Sequence, residues 1–141
     1  MKWLVISVIL VFNAAKVRCQ DLSGIWKGTY VFGTVAFPSF MNNIYLEFKL
    51  NEDSTYQVYS YTKTKYIDGK DTAAVCKVTY KMKTNRTLIL QETELISPDT
   101  LPRLCFQWFT LKIKQSEKGT ILEGRYTTNC NSNGEVYFVK E

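Results

Sequence analysis

Apolar and polar residues alternate along most of the chain with a period of two. Ile44, Leu46, Phe48 and Leu50 lie on one face, and Tyr45, Glu47 and Lys49 on the other. Cys76, Val78, Tyr80 and Met82 alternate in the same way with Lys77, Thr79, Lys81 and Lys83. Successive side chains of a strand point to opposite faces, so the pattern predicts half-buried strands, and no stretch carries a convincing helical period. The predicted strands run over 24–32, 44–50, 56–62, 76–83, 87–95, 105–114, 120–129 and 135–140. Turns fall at 51–55, at Thr84-Asn85-Arg86, at Glu117-Lys118-Gly119 and at Asn131-Ser132-Asn133-Gly134. Asn-Gly in the last of these is a strong hairpin signal. Asp68-Gly69-Lys70-Asp71 lies in a polar loop, and Pro98, Asp99 and Pro102 mark another.

Eight strands joined mostly by short turns predict an all-β, eight-stranded antiparallel meander closed into a barrel. Such a barrel either fills its interior with side chains or holds one small ligand. Closure also removes the exposed edges on which strands aggregate. A two-sheet sandwich is the alternative architecture. Two cysteines test the register of the hairpin over 105–129. Centring its turn between Gln115 and Thr120 sets Ile113 against Leu122, Leu111 against Gly124, Phe109 against Tyr126, Gln107 against Thr128 and Cys105 against Cys130. A slip of one residue would place the cysteines on opposite faces. Directly opposed residues come near disulfide reach, so Cys105 and Cys130 are expected to pair. Cys76, on a face with Val78, Tyr80 and Met82, is expected as a buried packing residue.

Composition places the chain in a compartment. Lys2 precedes the apolar run 3–12, which is too short to span a bilayer, and a more polar stretch leads to Cys19. Residues 1–19 therefore read as a secretory signal, with cleavage before Gln20 and a single domain over 20–141. Lipidation of Cys19 and cleavage after Ala15 are the alternatives. Of the 18 basic residues the signal holds Lys2, Lys16 and Arg18, so fifteen remain against 13 acids and the net charge falls from +5 to +2. The basic balance thus belongs largely to export. No concentrated basic stripe remains for nucleic acid, and no later segment is long and apolar enough for a transmembrane helix.

The chain has no histidine, which excludes Ser-His-Asp and Cys-His catalysis and histidine-bearing metal sites. Glu47 and Glu123 fall on outward faces. Glu92 and Glu94 share the apolar face of Leu88 and Leu90, which implies either a twist or bulge in that strand or an open barrel mouth. Asp68-Gly69-Lys70-Asp71 has a fragment of a calcium loop without its later bidentate glutamate. Asn85-Arg86-Thr87 fits a glycosylation sequon. The expectation is a chain that is not an enzyme and carries neither metal nor cofactor.

Gly24-x-Trp26, opening the first strand of an eight-stranded antiparallel chain, resembles the lipocalin signature. The mature chain is similar to small exported lipocalin-like proteins of Bacteroidetes type, which begin with a Gln-Asp-x-x-Gly-x-Trp stretch. These proteins end with an apolar strand, Leu-x-Gly, then Cys and Gly before a last strand. The matching residues are Gln20, Asp21, Gly24, Trp26, Leu111, Ile113, Leu122, Gly124, Cys130, Gly134 and Val136. Lipocalins set a basic residue of the last strand against the tryptophan, and Lys140 stands where it could do so. The resemblance implies export and a barrel, without implying a reaction.

The expected function is non-catalytic binding of a small, largely apolar ligand. The alternative is a filled barrel acting as a structural or protein-interaction module of the cell envelope, which the large inward residues favour. Trp26 is expected as a plug at one end, its N–H on a backbone carbonyl, or else as a ligand contact. Phe48, Tyr80, Gln107, Phe109, Tyr126 and Thr128 are the candidate lining. Gln107 and Thr128 either bond each other or offer a polar handle to a ligand's head group. Phe106 and Trp108, on the opposite face from Gln107, are a candidate outer contact or are covered by the nearby loop.

Overall fold

A computed structural model describes residues 21–31, 43–65, 71–98, 105–117 and 119–141. The expected signal over 1–19, its cleavage point at Gln20 and the loop Asp68-Gly69-Lys70 lie outside the described residues. Eight strands form: β1 (Gly24–Val31), β2 (Asn43–Leu50), β3 (Tyr56–Lys65), β4 (Asp71–Thr84), β5 (Thr87–Ser97), β6 (Gln107–Ser116), β7 (Gly119–Thr128) and β8 (Asn133–Lys140). Each pairs antiparallel with the next, and β1 pairs with β8, which closes the barrel and excludes the sandwich. The alternation read from sequence is the in-and-out alternation of this wall. Leu46, Phe48, Val58, Val78, Leu88, Leu90, Phe109, Leu111, Leu122 and Phe138 are buried inside. Lys77, Lys81, Lys112, Lys114 and Arg125 stand on the exposed outer face.

The β6–β7 register is the one predicted, with Gln107 opposite Thr128, Phe109 opposite Tyr126 and Ile113 opposite Leu122. Just past its end Cys105 and Cys130 form a disulfide, and Cys76 is free and buried. The last hairpin differs from expectation. Its reversal lies over 129–132, where Asn131 takes φ 63°, and Asn133 and Gly134 already pair within β8. Gly134 serves another purpose. A Cβ there would come within 2.9 Å of the Tyr126 ring, so its absence gives that ring room to lie across the interior.

The predicted conflict over Glu92 and Glu94 resolves as a bulge. Val78 pairs with Glu92 and Lys77 with Glu94, which leaves Thr93 as an extra residue on β5. The phase of β5 shifts there, so Glu92 is buried inside while Glu94 is exposed. A second shift leaves Ile96 unpaired and exposed.

Two outcomes test this packing. At Gly124 a Cβ would sit 1.9 Å from the Thr110 carbonyl oxygen, a backbone atom of β6. Gly124→Ala should therefore lower stability by about 1–3 kcal/mol or more in urea unfolding, through overpacking that no rotamer relieves. The disulfide spans 25 residues, for which chain entropy allows about 3–4 kcal/mol. The hairpin already joins its ends, so Cys105→Ser with Cys130→Ser should cost less than that. Intact mass of the chain over 20–141 before and after thiol labelling should show one bridge and one free thiol at Cys76.

Candidate functional site

The two ends of the barrel are chemically unlike. At one end Trp26 is fully buried, and its indole N–H donates to the Leu22 carbonyl at 2.9 Å. The Leu22 N–H in turn donates to the Tyr56 hydroxyl at 3.1 Å, and the Tyr56 N–H to the Tyr80 hydroxyl at 2.9 Å. Phe48 and Tyr80 each stack edge-on against Tyr56. The Lys140 ammonium lies 5.7 Å from the centre of the Trp26 ring, a cation–π distance. Among the described residues this end is a closed, aromatic floor.

At the opposite end three polar side chains among the described residues are buried inside: Ser60, Glu92 and Gln107. Ser60 comes from β3, opposite Cys76 of β4, and Glu92 continues the inward face of Leu88 and Leu90 on β5, just before the bulge. The described β5–β6 ladder stops at Gln91 and Trp108. Beyond it the Gln107 backbone N–H donates to Glu92 Oε2 at 2.8 Å, so the carboxylate takes a donor that the ladder leaves over. The Ser60 hydroxyl donates to Glu92 Oε1 at 2.5 Å. The Tyr30 hydroxyl donates to the Gln107 side-chain oxygen at 2.6 Å, and the Tyr30 and Tyr126 rings meet edge-on with centres 4.9 Å apart. The result is a chain of hydrogen bonds, Ser60 to Glu92 to Gln107 to Tyr30, crossing from β3 through β5 and β6 to β1.

Burial raises the Glu92 carboxyl above its usual range, and its bonds from Ser60 and the Gln107 amide pull the other way without cancelling that. Burial and the facing Glu92 push the Cys76 thiol up to about 11, so it stays a thiol and is no nucleophile. Burial also raises the Tyr30 and Tyr126 phenols. No group of three or more cysteine or acidic side chains stands in metal-binding geometry among the described residues.

The predicted site residues are split by this division. Gln107, Tyr126 and Phe109 lie toward the polar end or the middle of the interior, whereas Phe48 and Tyr80 belong to the Trp26 end. Gln107 and Thr128 are cross-strand partners but do not bond each other. The Thr128 hydroxyl bonds Ser132 Oγ at 2.7 Å and accepts the Cys130 and Ser132 backbone N–H groups, so it caps the β7–β8 turn. Phe106 and Trp108 are half-buried. Sequence reasoning missed Tyr30 and Ser60 as members of the polar end. Both have inward parity, Tyr30 with Trp26 and Ser60 with Val58, and that was the available signal.

A titration of stability follows from the buried carboxyl. Glu92 holds its proton more tightly in the folded chain than at its unfolded value near 4.5, so its contribution is fullest below that pH and is lost as the pH rises through the folded value. Glu92→Gln keeps the shape and removes the charge, while the Ser60 hydroxyl can turn to accept from the new amide. Its stability relative to the parent should therefore increase between pH 4 and pH 8, by about 1.4 kcal/mol for each unit by which the carboxyl is raised. Urea unfolding at the two pH values measures this, and a difference independent of pH would contradict it. The chain itself matches no protein family model, no curated protein and no solved structure.

Proposed function

We propose that the chain is an exported, non-catalytic barrel that binds a small, largely apolar ligand at the end of its interior opposite Trp26. The closed antiparallel meander is consistent with a lipocalin-like barrel, and the Bacteroidetes-type resemblance of its two ends belongs to the same proposal. The Cys105–Cys130 disulfide accords with an oxidising compartment, and so with export by the segment over 1–19. Among the described residues no helix is long and apolar enough to cross a membrane.

The observation that carries the reading is the buried polar chain from Ser60 to Tyr30. A barrel that only had to fold could fill this end with apolar side chains, as it fills the other. A few converging polar groups at the end of an apolar chamber are what a small-molecule site uses to orient its ligand. Thr62 and Thr128, on the inward faces of β3 and β7, are only half-buried, so solvent reaches the wall at this end. The second reading, a filled module of the cell envelope, draws on the Trp26, Phe48, Phe109 and Phe138 side chains, all almost fully buried. In the binding reading these rings are the floor against which an apolar tail packs, gaining about 25 cal/mol per Å² removed from water.

Titration with the neutral fluorophore N-phenyl-1-naphthylamine separates the two. Saturable binding at micromolar concentration, competed by decanol, is the expected result. Gln107→Leu should raise the decanol needed for competition severalfold, because it removes the polar partner of a head group while keeping the wall. It should also cost about 1–2 kcal/mol of stability, since the Tyr30 hydroxyl loses its acceptor. No saturable binding by the folded parent would retire the pocket in favour of the filled module.

A further inference from the structure

We propose that the polar end selects ligands bearing an ammonium group, with the Glu92 carboxylate as the counter-charge and the Tyr30 and Tyr126 rings beside it. The inference rests on the binding reading and names the ligand class of that site.

Glu92 is 3% exposed, and no lysine or arginine among the described residues pairs with it. The ion pairs among the described residues, Lys49 with Glu47 and Lys114 with Glu123, lie on the outer wall. A buried carboxylate is costly unless a cation or several donors meet it. Here it receives two hydrogen bonds, one on each oxygen, and a carboxylate offers about four acceptor positions. Positions for further donors therefore remain on both oxygens.

The surroundings are rich in acceptors. The Gln107 amide oxygen, already bonded by Tyr30, has a second lone pair, and the Ser60 hydroxyl oxygen can accept once its proton is given to Glu92. An ammonium brings three donors and a positive charge to such a cluster. The Tyr30 and Tyr126 rings, meeting edge-on, line the same end. A carboxylate head group would meet the opposite: a like charge beside Glu92 and no cation among the described residues to receive it. A hydroxyl head would bond but gain nothing from the charge. The apolar rings behind the cluster fit the tail of an alkyl or aryl amine.

The test compares decylamine, decanol and decanoate, all below their micellar concentrations, as competitors of N-phenyl-1-naphthylamine at pH 8. Decylamine should compete at a concentration at least tenfold lower than decanol, and decanoate should be weakest. Glu92→Gln should erase the preference for decylamine over decanol. In the parent the same preference should fade on acidification toward pH 4. Among the described residues, the titratable groups facing Glu92 are Tyr30 on β1 and Cys76 on β4, with Tyr126 on β7 beside Tyr30; the thiol titrates near 11 and both phenols are raised, so none changes charge in that range. Fading therefore reports Glu92 itself and needs no variant to fold. Equal competition by all three compounds, or a preference that survives Glu92→Gln, overturns the ammonium proposal and leaves the pocket standing. Failure of all three to displace a bound fluorophore, or of the fluorophore to bind, overturns both.

Discussion

A closed eight-stranded barrel has one narrow interior, and every inward side chain must share it. That constraint governs the rest of the structure. It explains why the inward positions carry large apolar residues at one level and a glycine at the next. Phe109 and Tyr126 are opposed across β6 and β7, and Gly134 makes room for the Tyr126 ring. It also explains why Lys77, Lys81, Lys112, Lys114 and Arg125 face outward.

Within that constraint the interior divides along its length. The Trp26 end is packed with rings and satisfies its few polar groups locally, through Leu22, Tyr56 and Tyr80. The other end holds a carboxylate that the surrounding wall disfavours as an ion. Glu92 keeps the inward phase of Leu88 and Leu90, and the Thr93 bulge turns Glu94 outward, where a regular β5 would carry both on one face. Glu92 has a structural duty as well, accepting the Gln107 N–H beyond the end of the β5–β6 ladder. A neutral acceptor could fulfil that duty, so the charge itself calls for a further explanation. A ligand that arrives with a positive group supplies one.

Much of the architecture was legible in the alternation itself. Strand order, the β6–β7 register and the Cys105–Cys130 pair follow from period-two patterning combined with short turns, because each of these is a local property of a hairpin. The site was legible only in fragments. Gln107 stood out as a polar residue on an apolar face. Tyr30 and Ser60 did not, since tyrosine and serine are unremarkable in strands, and their meeting depends on closure across distant strands. The inward place of Glu92 followed from its parity with Leu88 and Leu90, whereas the outward turn of Glu94 depended on a one-residue bulge, which leaves no distinct composition signal. The Asn133-Gly134 pair misled about the turn because Gly134 answers to the Tyr126 ring rather than to the chain reversal. Phe48 and Tyr80 share inward parity with Gln107, but parity gives the face of a strand and not the level along the barrel.

The central claim is that the polar end of the interior receives a small molecule. Mapping of backbone amide and indole chemical shifts in the ¹⁵N-labelled chain over 20–141 during titration with decylamine tests it most directly. The account predicts saturable shifts centred on Tyr30, Ser60, Glu92 and Gln107, with the Trp26 indole and the amides of Leu22 and Tyr56 little changed. Shifts confined to the outer wall around Lys112 and Arg125, or none at saturating ligand, would contradict it.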